Sequence, residues 1–259
     1  MENYVEKCDY KGFDIKVFYD ECADSPREWN NVATMACWHR DYRQLGDVST
    51  EDYKAPVDYL RDLVRYYVPE KEIVDWAYKN GKEEKGTIRL KYNRSERAWE
   101  LLEYVRYGVP GLFMSDPYWD VQYSNPCKDS LAYYIIDELT DSHCMELLEK
   151  YLFILPLSFY EHSAVKLYAG SPCCPWDSGY VGFAWVERKK YASEKNFEEW
   201  AEECINGECK IYTQYLNGWV HSFTVTNEEG EVVDSSGGFY DTDEAMEWAK
   251  ESIDAMTAA

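Results

Sequence analysis

Histidine, aspartate and serine are the residues of this chain whose types could do acid–base or nucleophilic chemistry. They gather in two stretches. The first runs from His39 to Asp47, HRDYRQLGD; the second runs from Glu161 to Ser178 and holds Glu161-His162-Ser163 and Trp176-Asp177-Ser178. A histidine held by a carboxylate can take and return a proton, so His39 with Asp47, or Glu161 with His162, would serve as a general base in a shared cleft. Two histidines with two aspartates could also bind a metal. The set His39, Asp47, His162 and Asp177 therefore defines a hydrolase or metal-dependent reading of unknown substrate. Each residue has an ordinary role open to it as well. His39 and His162 can bond locally within a turn, Asp177 is a turn former, and Arg27 can pair with Asp24 or Asp47 instead of holding a ligand. His221, on an apolar strand face, reads as a satisfied core histidine. No HExxH, GxSxG, P-loop or dinucleotide glycine motif is present.

Cysteine chemistry is weakly encoded. There are nine cysteines and no CxxC. Cys204 and Cys209 are too loosely spaced for a zinc pair, and adjacent Cys173-Cys174 suit neither a zinc knuckle nor a redox motif. Buried, reduced thiols acting as small hydrophobes are expected. The segment SPCCPWDSGYVGFAW, 171–185, then reads as a tight turn feeding an apolar strand. Pro172 and Pro175 stiffen it, and Asp177-Ser178-Gly179 is turn chemistry.

These residues must be positioned by a folded body, and the bulk composition supplies one. The chain has 259 residues and is 46% hydrophobic, enough for a sizeable core. No apolar run reaches the roughly 18 residues of a membrane span. The opening MENYVEKCDYKGFD has no basic segment followed by an apolar one, so no secretory signal is expected. Net charge is −22 and uneven: residues 1–129 hold 25 acidic and 19 basic side chains, residues 130–259 hold 24 and 8. Such a field repels nucleic acid and anionic membranes and suits a protein partner with a basic surface. Aromatics make up 17% of the chain, and acidic residues interleaved with Tyr and Trp are typical of protein-binding surfaces.

Periodicity predicts the elements. FDIKVFY, 13–19, alternates as a half-buried strand. Asn30–His39 is apolar and fits a strand or a short helix. Residues 50–150 read as a helical insertion: Pro56–Val68 has helical spacing, and Ser95 could cap a helix carrying Trp99, Leu102 and Val105. Residues 152–168 read as strand, turn, strand. Phe197, Trp200, Ala201 and Cys204 mark an amphipathic helix with Asn196 as its cap. Asn217-Gly218 is the strongest hairpin signal. The last stretch is a helix opened by the capping-box pair Asp241 and Glu244. Two units echo each other, each a strand followed by a turn tryptophan, Trp29 or Trp176, and nine residues later a second one, Trp38 or Trp185. The fold class expected is α+β: one domain with a mainly antiparallel sheet built from 13–40 and 152–186, the helical insertion, and a C-terminal helix.

The motifs SPREWNNVATMACWHRDYRQLGD (25–47), ILPLSFYEHSAVKLY (154–168), PWDSGYVGFAWV (175–186), YTQYLNGWV (212–220) and VVDSSGGFYD (232–241) resemble a family of uncharacterised proteins of bacteriophages and mobile elements. Family members tend to carry Asp-His-Ser-Gly where this chain has Glu161–Ala164. They often have Asp-Ser-Cys-Trp-Gly-Phe where it has Asp234–Phe239, and the missing Cys weakens any thiol or metal role there. The family is usually recorded without a function, so the resemblance says little about activity; the function expected is that of an accessory protein acting in the cytoplasm of a bacterial host. Joined to the acidic second half, it leads to a protein that binds another protein, such as a host-defence factor or a nucleic-acid enzyme. Carboxylates would there imitate DNA phosphates. Residues 194–259 hold 16 acidic and 3 basic side chains. The expected binding residues are Arg27, Trp29, Trp176, Asp177, Ser178, Glu198, Glu199, Glu202 and Glu203. No cofactor, metal, direct nucleic-acid contact or membrane contact is expected.

Overall fold

A computed structural model describes residues 4–42, 45–79, 87–95, 97–106, 113–121 and 128–258. The chain divides into two compact units, one of Met1–Ser49, Leu155–Val186 and Ser193–Ala259, the other of Thr50–Ile154 with Glu187–Ala192. The fold is α+β, with antiparallel sheets and a C-terminal helix.

In the first unit, β1 (Glu6–Tyr10) and β2 (Phe13–Tyr19) form a hairpin whose two turn residues, Lys11 and Gly12, both have positive φ. Positive φ at both positions matches the right-handed twist of the flanking strands. A short 3₁₀ turn, Pro26–Glu28, leads to β3 (Thr34–Cys37). The second unit opens with α1 (Pro56–Tyr67), which starts on a proline and buries Leu60, Leu63 and Val64. It continues through α2 (Glu70–Lys79) to a three-stranded antiparallel sheet of β4 (Thr87–Asn93), β5 (Ala98–Arg106) and β6 (Phe113–Val121). Two helices close it, α3 (Lys128–Asp137) and α4 (Asp141–Leu148); Thr140 and His143 form a reciprocal cap on the latter.

The first unit resumes within β7 (Leu152–Glu161, from Leu155 on) and holds β8 (Val165–Ala169), β9 (Ser178–Glu187, up to Val186), then α5 (Phe197–Leu216), β10 (His221–Thr226), β11 (Val232–Phe239) and α6 (Thr242–Thr257). Two sheets result, in the orders β1-β2-β10-β11 and β3-β9-β7-β8. The alternation of β2 sets the first. Ile15 and Val17 point inward and pair with Val225 and Phe223 of β10. Ala245, Met246, Ala249 and Ile253 of α6 cover them. Fully burying side chains such as Ile15, Phe223 and Ile253 contributes about 1.5–3 kcal/mol each.

Several expectations are corrected. The helix predicted to follow Ser95 is the strand β5, because β4 and β6 pair with its backbone along both edges. Among the described residues the 50–150 stretch therefore carries a three-stranded sheet as well as four helices. Asn217-Gly218 closes no hairpin, since KIYTQYL is the last part of α5. Gly218 N donates to Tyr215 O (2.9 Å) and Trp219 N to Gln214 O (2.9 Å), the paired bonds of a glycine-terminated helix. The segments 13–40 and 152–186 do not build one sheet. The second strands of the echoing units pair, Thr34 opposite Trp185, while β2 belongs to the other sheet. Asn196 stands at the start of α5 in left-handed backbone (φ 51°) with no side-chain cap bond, whereas Asp241 caps α6 by accepting from Asp243 N (2.8 Å).

β8 is an edge strand, and α5 covers it chemically. Thr213 and Asn217 lie one helical turn apart. Val165 N donates to Asn217 Oδ1 (2.9 Å) and Leu167 N to Thr213 Oγ1 (3.0 Å), while Asn217 Nδ2 and Thr213 Oγ1 return bonds to Val165 O (2.8 Å) and Leu167 O (3.1 Å). Two side chains thus satisfy the exposed ladder as a further strand would.

Candidate functional site

The segment between β8 and β9 is a turn held from inside. Ser178 Oγ accepts from Cys174 N (2.8 Å) and donates to Cys174 O (2.6 Å), and Ser178 N donates to the same carbonyl (3.1 Å). Cys173 N donates to the Tyr168 hydroxyl (2.8 Å), the Cys174 thiol to Asp177 Oδ2 (3.6 Å), and Glu161 N to Asp177 O (2.9 Å). Pro172 and Pro175 restrict φ on either side of the cysteines. The frame presents Trp176 at its tip, 91% exposed. Ser178 and Asp177 thus build the turn, and Trp176 is what the turn displays. The Tyr168 hydroxyl bonding to its thiolate, with Ser178 and Lys166 assisting against desolvation, holds Cys173 below the ordinary thiol range.

The Arg27 side chain is buried and engaged within the protein. It is 4% exposed. Nε and Nη2 donate to the two oxygens of Asp47 (2.7 and 2.6 Å), Nη1 to Glu208 (2.8 Å), and Nη2 also to Ala33 O (2.9 Å). Asp47 accepts in addition from Met35 N (2.7 Å), and Glu208 from Val32 N (2.8 Å) and Ala33 N (3.1 Å). Burial alone would lower the guanidinium, but its bonds to Asp47 and Glu208 reverse that and raise it above its ordinary value. This node ties the 25–47 segment to the middle of α5. Glu208 was not singled out in the sequence. The signal for it was available: it stands between Ile205 and Tyr212 on the stripe that α5 buries with Ala201 and Cys209.

The proposed acid–base pairs do not form as expected. Asp47 is engaged by Arg27, not by His39. His39 Nδ1 accepts from the backbone of Asp41 (3.2 Å) and Tyr42 (3.3 Å), which leaves the ring proton on Nε2, 3.9 Å from Glu161 Oε2. The ring packs on Phe159 and Tyr42. His162 lies exposed in the β7–β8 turn, where its N–H donates to Ala164 O. Among the described residues no group of three or more His, Cys, Asp or Glu is placed to hold a metal. His221 is buried as expected, yet among the described residues its Nδ1 has no hydrogen-bond partner. Burial lowers its pKa below the ordinary 6.5, against the opposing pull of Asp241.

Trp29 is half exposed and meets Tyr240 edge-on at 5.7 Å. Glu198, Glu199, Glu202 and Glu203 all stand exposed on the first two turns of α5, where the helix dipole favours negative charge. No family model, curated protein or solved structure matches this chain. Several positions of the motifs quoted above have architectural work to do. Arg27 and Asp47 form the node, Ser178 closes the turn, and a Cβ on Gly182 would lie 1.9 Å from Ala36 O across the β3–β9 pair.

Proposed function

We propose that this protein is an acidic accessory protein of a bacteriophage or mobile element that works in the cytoplasm of a bacterial host. It binds a protein with a basic surface there, such as a host-defence factor or a nucleic-acid enzyme. The observation that carries the reading is Trp176, a tryptophan 91% exposed on a turn braced by three Cys174–Ser178 bonds. A large aromatic ring on a pre-organised frame loses little entropy on docking and is the commonest type of binding hot spot. Charge supports the same reading. Glu198, Glu199, Glu202 and Glu203 occupy one face of α5 over about 7.5 Å of helix rise. That is an axial spacing of roughly 2.5 Å per carboxylate, against roughly 1.7 Å per charge of duplex DNA. A basic cleft that accepts phosphates would meet a comparable charge density. The hydrolase reading has less support: His39, Asp47, His162 and Asp177 are each engaged locally or apart from one another, and the nearest pair, His39 with Glu161, stands at 3.9 Å.

The test is affinity capture from host lysate followed by a binding measurement on the purified partner. Trp176→Ala is expected to weaken binding about 30-fold, in line with a hot-spot loss of roughly 2 kcal/mol. Replacing the four glutamates by glutamine is expected to slow association and flatten its salt dependence. Recovery of only abundant, unspecific proteins, or a partner that binds the Trp176→Ala variant as tightly as the parent, would overturn the proposal.

A further inference from the structure

A cleft of about 500 Å³ lies between β8 and α5, within the size range of small-molecule sites. Asn206, Cys209, Lys210 and Thr213 line one wall, at i, i+3, i+4 and i+7 of a single helix face. Val165, Leu167 and Tyr168 line the other, and Trp219 stands just beyond the end of α5. The surface is chiefly apolar and aromatic. Two lysines line it, Lys166 and Lys210, and no Asp or Glu does. The sign of this lining is opposite to the chain's net charge of −22. Among the described residues neither ammonium has an ion-pair partner. The Lys166 ammonium lies 5.5 Å from the centre of the Tyr168 ring. The Cys209 thiol is pushed up to about 12 by burial, so the floor carries no competing anion at neutral pH.

An extended peptide is disfavoured as the occupant. The outward amides and carbonyls of Val165 and Leu167 already bond Asn217 and Thr213, so no strand can add to this edge. What remains are an apolar, ring-lined wall and two unpaired cations. We propose that this cleft binds a small aromatic anion, its ring system against Trp219 and Tyr168 and its carboxylate or sulfonate held by Lys166 and Lys210. The cleft does not include Trp176 and meets its turn only through Lys166 and Tyr168, the latter accepting from Cys173 N through its hydroxyl.

Fluorescence titration with 8-anilinonaphthalene-1-sulfonate, an aromatic sulfonate, tests it, with the uncharged N-phenyl-1-naphthylamine as the matched neutral probe. The 259-residue chain is expected to bind the sulfonate saturably at one site. The double variant Lys166→Gln/Lys210→Gln, which alters only exposed side chains, is expected to weaken it roughly tenfold while leaving the neutral probe within about twofold. Trp219→Ala is expected to weaken both probes. Far-UV circular dichroism establishes that each variant is folded. Absence of saturable binding to the parent protein, or sulfonate affinity unchanged in the lysine variant, would overturn the proposal.

Discussion

Replacing Arg27 by methionine tests whether this residue is a strut or a ligand-binding group. The substitution keeps a long apolar stem and removes four hydrogen bonds: two to Asp47, one to Glu208 and one to Ala33 O. Among the described residues, Asp47 and Glu208, 21% and 13% exposed, then keep only backbone donors and lose the cation that separates them. Removing one partner of a buried ion pair typically destabilises by about 3–5 kcal/mol, because the remaining charge keeps its desolvation penalty. With a urea slope of roughly 2 kcal/mol per molar, the unfolding midpoint at pH 7 should fall by about 2 M. The assay is urea unfolding followed by circular dichroism at 222 nm. The companion variant Glu208→Gln removes one of the stranded charges. In the double variant the two losses should therefore sum to less than their separate values, by about 1–3 kcal/mol. A midpoint within about 0.5 M of the parent, or strictly additive losses, would refute the strut and return Arg27 to the list of ligand-binding candidates.

Gly182→Ala places a methyl group 1.9 Å from Ala36 O, so the β3–β9 pair must separate. A loss of about 3 kcal/mol or more in urea unfolding is expected, and a neutral outcome would mean that the two strands are not in this register. His221 should make stability depend on pH. Its folded-state pKa lies below 6.5, so the unfolded chain takes up the proton more readily and stability falls as the pH drops from 7 toward 5. In His221→Gln that part of the slope should vanish, and urea midpoints at pH 7, 6 and 5 for both proteins decide it.

Local pattern made some elements legible and misread others. The alternation of 13–19 and the helical spacing of 56–68 each correspond to one burial face, and those faces appear in β2 and α1. Spacing failed where a partner decides the conformation. Trp99, Leu102 and Val105 fit a helical stripe, but paired strands on both sides make β5. Turn chemistry proved two-valued. Glycine supplies positive φ to a hairpin or to a helix end alike, so Lys11-Gly12 turned a hairpin while Asn217-Gly218 stopped a helix. The Trp-Asp-Ser-Gly segment was readable as a turn because its bonds run between near neighbours, Cys174 with Ser178.

Sequence by itself determined the α+β class, the acidic field, the turn at 171–178 and the helix faces that carry Glu198–Glu203, since each depends on composition or on residues within a few positions of one another. Only the tertiary structure decided that the echoing strands part into two sheets, that Asp47 serves Arg27 instead of His39, and that Glu208 turns inward. It also set Lys166 and Lys210 on one cleft. Those outcomes join residues tens to nearly two hundred positions apart. No local propensity encodes such a pairing, because the burial that stabilises it exists only once the chain has closed upon itself.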